Sequence, residues 1–127
     1  MEMKSLWLHA SDGVRLSVTV FEAHQPSSKL LLINSATGVK QQVYFSFAKF
    51  MAEDRVTVIT YDYRGIGLSK PEEMKGFKAS MRIWGTEDLK TITTFIDENF
   101  RSYQKFCLGH SVGALILGMT ESTVIFG

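Results

Sequence analysis

Gly109-His110-Ser111-Val112-Gly113 places a serine between two glycines, where an apolar strand-like run (residues 106–108) meets an apolar helix-like run (residues 114–119). This is the G-x-S-x-G pattern, in which the glycines let strand and helix approach closely while the serine hydroxyl projects from a tight turn. A helix starting at Val112 would add unpaired backbone N–H groups and a positive dipole end beside an attacked carbonyl. The chemistry implied is nucleophilic attack by Ser111 on an acyl carbon, with the Val112 N–H as one donor to the developing oxyanion. A second donor is expected from Asn34-Ser35-Ala36-Thr37-Gly38, whose small residues allow main-chain N–H groups to face the same point. Ala36 or Thr37 is the candidate.

A nucleophilic serine needs a base to take its proton and an acid to orient that base. In the chain order that goes with this turn, both follow the serine. No histidine follows Ser111, and Glu121 is the only acid that does. His110 adjoins the nucleophile, but adjacent side chains at such a turn diverge, so it is read as a packing residue. His9 and His24 are read as surface residues. The chain as given is therefore expected to show little or no serine-dependent turnover.

By chance, the five-residue pattern would occur in about 7 of 100 chains of this composition, so its surroundings must support it. Residues 5–9 and 15–21 are short apolar and β-branched runs separated by Ser11-Asp12-Gly13, which predicts an antiparallel hairpin. Residues 30–33 are continuously apolar, as in a central strand buried on both faces. Over 42–53, Val43, Tyr44, Phe47, Phe50 and Met51 recur at helical spacing, predicting an amphipathic helix that packs on that face. Phe45, Phe47 and Phe50 are read as core and surface of this helix, not as a ligand stripe. A strand over 56–61 completes a βαβ unit with parallel strands. Residues 71–80 read as an exposed loop. A second helix over 87–100, with Leu89, Ile92, Phe95 and Ile96 on one face, leads to a third parallel strand over 106–108. A buried helix over 114–119 and a strand over 123–126 are expected after the serine. The fold class is α/β.

Three segments together resemble the α/β-hydrolase superfamily across nearly all of the chain. They are residues 34–38 in the oxyanion-loop position, Asp62-Tyr63-Arg64-Gly65-Ile66-Gly67-Leu68-Ser69 in the family's D-x-R-G-x-G-x-S loop, and the elbow at 109–113. The resemblance is strongest to the lysophospholipase and serine-aminopeptidase-like branch, including uncharacterised bacterial hydrolases. Ser35-Ala36 replaces the family's usual His-Gly. The resemblance implies residues 1–127 as a single partial domain, the N-terminal portion of the fold, without the later strands, lid, acid and histidine. It also implies a serine hydrolase cleaving an ester, thioester or amide through an acyl-enzyme on Ser111. In this family Asp62 and Arg64 shape the loop instead of binding substrate. The alternative reading is a non-catalytic fragment or association module, pairing with a second copy through an exposed sheet edge.

The 127 residues carry 14 basic and 13 acidic side chains, for a net charge of +1. No charge footprint for nucleic acid results. Arg64-Gly65-Ile66-Gly67 lacks the third glycine and prompt helix of a dinucleotide loop, so no cofactor is expected. Metal-ligand spacing is also absent. Cys107, the only cysteine, is read as buried and inert. Glu87 and Asp88 are read as helix-capping or solvated acids. No signal peptide or membrane-span pattern is present, so a cytoplasmic chain acting on a small acyl substrate is the expectation.

Overall fold

A computed structural model describes residues 1–24, 27–36, 38–70, 79 and 81–110. Strands β1 (Glu2–His9) and β2 (Arg15–Glu22) pair antiparallel across a tight turn. In that turn the Gly13 N–H donates to the Ala10 carbonyl (2.8 Å), and Gly13 takes the positive φ that the turn requires. Strand β3 (Lys29–Asn34) leads through a 3-10 turn at Gln41–Tyr44 into helix α1 (Phe45–Glu53), then strand β4 (Val56–Tyr61). A 3-10 turn at Gly67–Ser69 follows, and then a helical stretch. That stretch comprises α2 (Met81–Ile83), a wide π segment at Trp84–Leu89 and α3 (Lys90–Asn99), ending in strand β5 (Gln104–Gly109).

The described strands form one five-stranded sheet in the order β1-β2-β4-β3-β5. β2 pairs antiparallel with β4, while β3 is parallel to both β4 and β5. This is a mixed sheet: the expected hairpin is followed by parallel units, and β3 is an inner strand between β4 and β5, with β4 in the middle of the sheet. The Leu30, Leu32 and Ile33 side chains are fully buried because both faces of β3 are covered. On one face, Leu30 and Leu32 join Val18, Ile59, Leu89 at the end of the π segment and the α3 residues Ile92 and Ile96. On the other, Ile33 and Val58 pack against Ala48 and Ala52 of α1 and Phe21 of β2. Truncating Ile92 to alanine would leave a cavity in the first cluster, at a cost of about 2–5 kcal/mol.

Helix α1 corrects one expectation. It packs with Ala48 and Ala52, flanked by Tyr44, Phe45 and Met51, whereas Val43 (70% exposed), Phe50 (64%) and Phe47 face outward. The helix carries two apolar stripes, and the one containing alanines allows its backbone to lie close on β4. The second helix meets the sheet with Leu89, Ile92 and Ile96, as its periodicity predicts. Asp88, expected to cap or be solvated, is instead fully buried. The expected loop over 71–80, helix over 114–119 and strand over 123–126 lie essentially outside the described residues.

Candidate active site

The parallel strands β4, β3 and β5 deliver their C-terminal ends to one edge of the sheet, where open α/β sheets bind ligands. β3 and β5 are neighbours there, with Asn34 in register with Gly109. Chain leaves β3 toward α1 on one face and reaches β5 from α3 on the other, as the two packing clusters show. The loop beginning at Ser35 and the chain beginning at His110 therefore emerge side by side. One further hydrogen bond, from the His110 N–H to the Asn34 carbonyl (3.0 Å), continues the pairing past the end of β5.

Two tyrosines of β4 and its exit fix the start of the β3 loop. The Tyr61 hydroxyl donates to Asn34 Oδ1 (2.8 Å) and the Tyr63 hydroxyl to the Ser35 carbonyl (3.1 Å). Burial pushes both phenols above their ordinary range, so they remain neutral donors. Tyr63 stacks on Trp84 with ring centroids 4.8 Å apart, and the Trp84 indole donates to the Arg64 carbonyl (3.0 Å). Ser35 is 2% exposed, and its hydroxyl has no hydrogen-bond partner among the described residues.

Tyr44, just before α1, reaches back to the same corner. Its hydroxyl accepts the Ala36 N–H (3.1 Å) and lies 2.8 Å from His110 Nδ1. His110, read as a packing residue, is exposed and joins α1 to the end of β5 through this contact.

Asp62 and Arg64 act as scaffold. Asp62 is buried, and its carboxylate accepts the Gln41 N–H (2.8 Å), Gln41 Nε2 (3.1 Å) and the Leu68 N–H (3.2 Å). Gln41 Oε1 in turn accepts from the Thr60 hydroxyl (2.7 Å), so the carboxylate locks the loops after β3 and β4 together. Gly67 is required at this point, because a Cβ there would lie 2.6 Å from Asp62 Oδ2 with φ at +52°. Gly67→Ala is expected to destabilise the fold by about 1–3 kcal/mol in urea unfolding. A variant as stable as the parent would remove Asp62 as the obstacle.

Arg64 is 3% exposed and spans two acids. Its Nε donates to Asp88 Oδ1 (2.7 Å), its backbone N–H to Asp88 Oδ2 (2.8 Å), and its Nη atoms to Asp12 (2.6 and 3.2 Å). Burial pushes the Asp88 carboxyl up to about 6 despite these bonds, whereas the Arg64 hydrogen bonds hold the more exposed Asp12 below its usual range. Cys107 lies on the α3 face of β5, where burial pushes its thiol up to about 12 and keeps it protonated.

Ala36 lies at the converging strand ends. Ser111, Val112 and Thr37 lie outside the described residues, although their chain neighbours His110 and Ala36 frame the same corner. Sequence reasoning missed Tyr44 and Gln41 as parts of this corner, because their partners are remote in the chain. A cleft of about 330 Å³ opens beside it, between the loops after β3 and β4, lined by Gly38, Lys40, Asp62, Ile66 and Lys70 among others.

Residues 25–119 match the family model described as serine aminopeptidase, S33. The chain belongs to that family. No curated protein matches it. Solved structures show the same fold. An α/β-hydrolase from Penicillium sp. sh18 superposes with a TM-score of 0.77 at 23% identity, covering 94% of this chain and 41% of its own. A thermostable carboxyl esterase from Bacillus coagulans gives 0.77 at 17% identity, covering 94% and 40%. A lidless α/β serine hydrolase from Xanthomonas campestris gives 0.70 at 17% identity, covering 92% and 54%. The chain thus spans 40 to 54% of the length of these structures. For this S33-family chain, the mixed sheet corresponds to part of an α/β-hydrolase fold.

Proposed function

We propose that residues 1–127 form a single partial α/β-hydrolase domain that supplies the nucleophile half of a serine hydrolase. Ser111 attacks the acyl carbon of an ester, thioester or amide; the Val112 N–H and an N–H of the β3 loop hold the oxyanion. What carries this reading is the convergence of β3 and β5. Asn34 and Gly109 are paired, so the residues flanking the G-x-S-x-G serine adjoin the candidate oxyanion loop.

None of the chain's three histidines suits the role of base. His9 is at the C-terminal end of β1, four strands from β5, or about 19 Å at ordinary strand spacing. His24 follows β2, which runs opposite to β4, and so sits at the other end of the sheet. His110 turns its Nδ1 to Tyr44. In this reading the base is supplied from outside these 127 residues.

Labelling with a fluorophosphonate, with and without added imidazole as a substitute base, tests the proposal. A single adduct is expected at Ser111, formed faster with imidazole and absent from Ser111→Ala. No adduct at Ser111 under either condition would overturn the nucleophile assignment.

A second reading, a non-catalytic association module, is favoured by one observation. Phe106 and Leu108 are exposed on the α1 face of β5, in register with Leu31 and Ile33. Apolar side chains at a sheet edge favour pairing with another copy. Light scattering is expected to show concentration-dependent self-association; a monomer at high concentration with cooperative unfolding would contradict it.

A further inference from the structure

We infer that Tyr44 is a positioning residue that ties the oxyanion loop to the nucleophile elbow and withdraws the Ala36 N–H from the donors available to substrate. The inference rests on the serine-hydrolase reading above, but its geometry stands on described residues alone. The Tyr44 hydroxyl accepts the Ala36 N–H at 3.1 Å and sits 2.8 Å from His110 Nδ1. A phenol oxygen that already accepts the Ala36 N–H has one proton left to give, and we assign it to Nδ1 2.8 Å away, which places the imidazole's own proton on Nε2. The chain Ala36 N–H to Tyr44 Oη–H to His110 Nδ1 thus joins the loop after β3, the start of α1 and the residue preceding Ser111.

Three further contacts fix the ends of this chain. Asn34 is held by the Tyr61 hydroxyl, Ser35 by Tyr63, and the His110 backbone by the Asn34 carbonyl. Tyr44 itself packs with the cluster that seats α1 on the sheet, so its ring is anchored independently of the hydroxyl. Removing only the oxygen should therefore leave the fold intact while releasing both loops. An oxyanion hole loses much of its effect when its donors are displaced, because preorganised donors avoid reorganisation at the moment of reaction. With the Ala36 N–H committed to Tyr44, the loop's contribution to the hole falls to its other candidate, Thr37.

Nitrogen-15 NMR and amide exchange on the 127-residue chain provide the test. In the parent, His110 Nδ1 should carry the shift of an unprotonated acceptor nitrogen, and the Ala36 amide should exchange slowly. Tyr44→Phe should speed Ala36 exchange at least tenfold without altering exchange at Leu31 and Leu32, and should change the His110 tautomer balance. Unchanged Ala36 exchange, or a protonated Nδ1 in neutral parent protein, would overturn the bridge. Phosphonylating Ser111 with imidazole present should shift the Thr37 amide and leave Ala36 bonded to Tyr44. A loss of the Ala36–Tyr44 bond in that adduct would make Ala36 the donor and refute the inference. Failure of Ser111 to label at all, with the bridge intact in the NMR spectra, would instead count against the hydrolase reading.

Discussion

Replacing Arg64 by methionine is expected to lower folding stability by about 3–5 kcal/mol at pH 7, and by distinctly less at pH 5. Arg64 is buried between Asp12 and a fully buried Asp88, and its Nε–Asp88 contact of 2.7 Å is a charge-assisted bond. Methionine fills similar volume but leaves Asp88 with only the backbone N–H of residue 64. An uncompensated buried carboxylate is far more costly than the pair was favourable.

The pH dependence follows from the direction of the Asp88 shift. Burial already places its carboxyl at about 6 in the parent, above its unfolded value of 3.8. Between these values the native state binds more protons than the unfolded state, so stability at this site rises as pH falls and is lost as pH climbs through 6. Without the Arg64 charge the carboxyl moves higher still, and acid relieves more of the penalty. Asp12 runs the other way: its depressed carboxyl contributes above its unfolded value, and that contribution disappears as pH falls. The Asp12 side chain is 42% exposed, so solvent screens its pairing and this opposing effect is small. Pairing Arg64→Met with Asp88→Leu should recover most of the loss, because two apolar residues can replace a buried ion pair with little penalty. Urea unfolding at both pH values measures all of this. A loss under 1 kcal/mol, or one equal at pH 5 and pH 7, would show that Asp88 is not the buried charge at issue.

The Arg64 network also shows how far the sequence could be read. The D-x-R-G-x-G-x-S loop was legible as a motif, and the scaffold role of Asp62 and Arg64 followed from the family resemblance it carries, not from the residues alone. Asp88, expected to cap the helix or face solvent, is buried, yet a signal was present: it shares a helical face with Ile92 and Ile96, both fully buried. An acid on an apolar stripe is a buried acid that needs a partner, here 24 residues away in the chain. The π segment at Trp84–Leu89 then turns that acid to Arg64, a local widening that periodicity does not reveal.

Helix α1 was misread for a different reason. It has two apolar stripes, and periodicity cannot tell which one meets the sheet. Close packing chose Ala48 and Ala52 over the bulkier Val43, Phe47 and Phe50. The strands were legible because their β-branched and leucine runs are short and bounded by turn residues. Tyr44 had no local signal, because its partner His110 is 66 residues away and the contact exists only once β3 and β5 are paired. The family motifs pointed to the candidate corner; side-chain placement around it needed the sheet.

The 127-residue chain is expected to hydrolyse p-nitrophenyl esters no more than a few-fold faster than its Ser111→Ala variant, despite carrying the elbow sequence. Without a base, the serine hydroxyl must lose its proton to water as it attacks. In enzymes of this mechanism, losing the base alone costs about 10⁶-fold in kcat, as much as losing the serine itself. His9 and His24 are placed away from the β5 end, and the Nδ1 of His110 faces Tyr44, so the chain's own histidines cannot restore that factor. An oxyanion hole can still assist direct attack by water, and that residual rate is insensitive to Ser111. The two proteins should therefore give nearly superimposable steady-state rates, while imidazole should separate them by accelerating acylation only where the serine is present. Strong turnover that Ser111→Ala abolishes without imidazole would mean that a base is already in reach. His110 would then be the first residue to substitute, because its Nε2 is the one imidazole nitrogen at this corner not facing Tyr44.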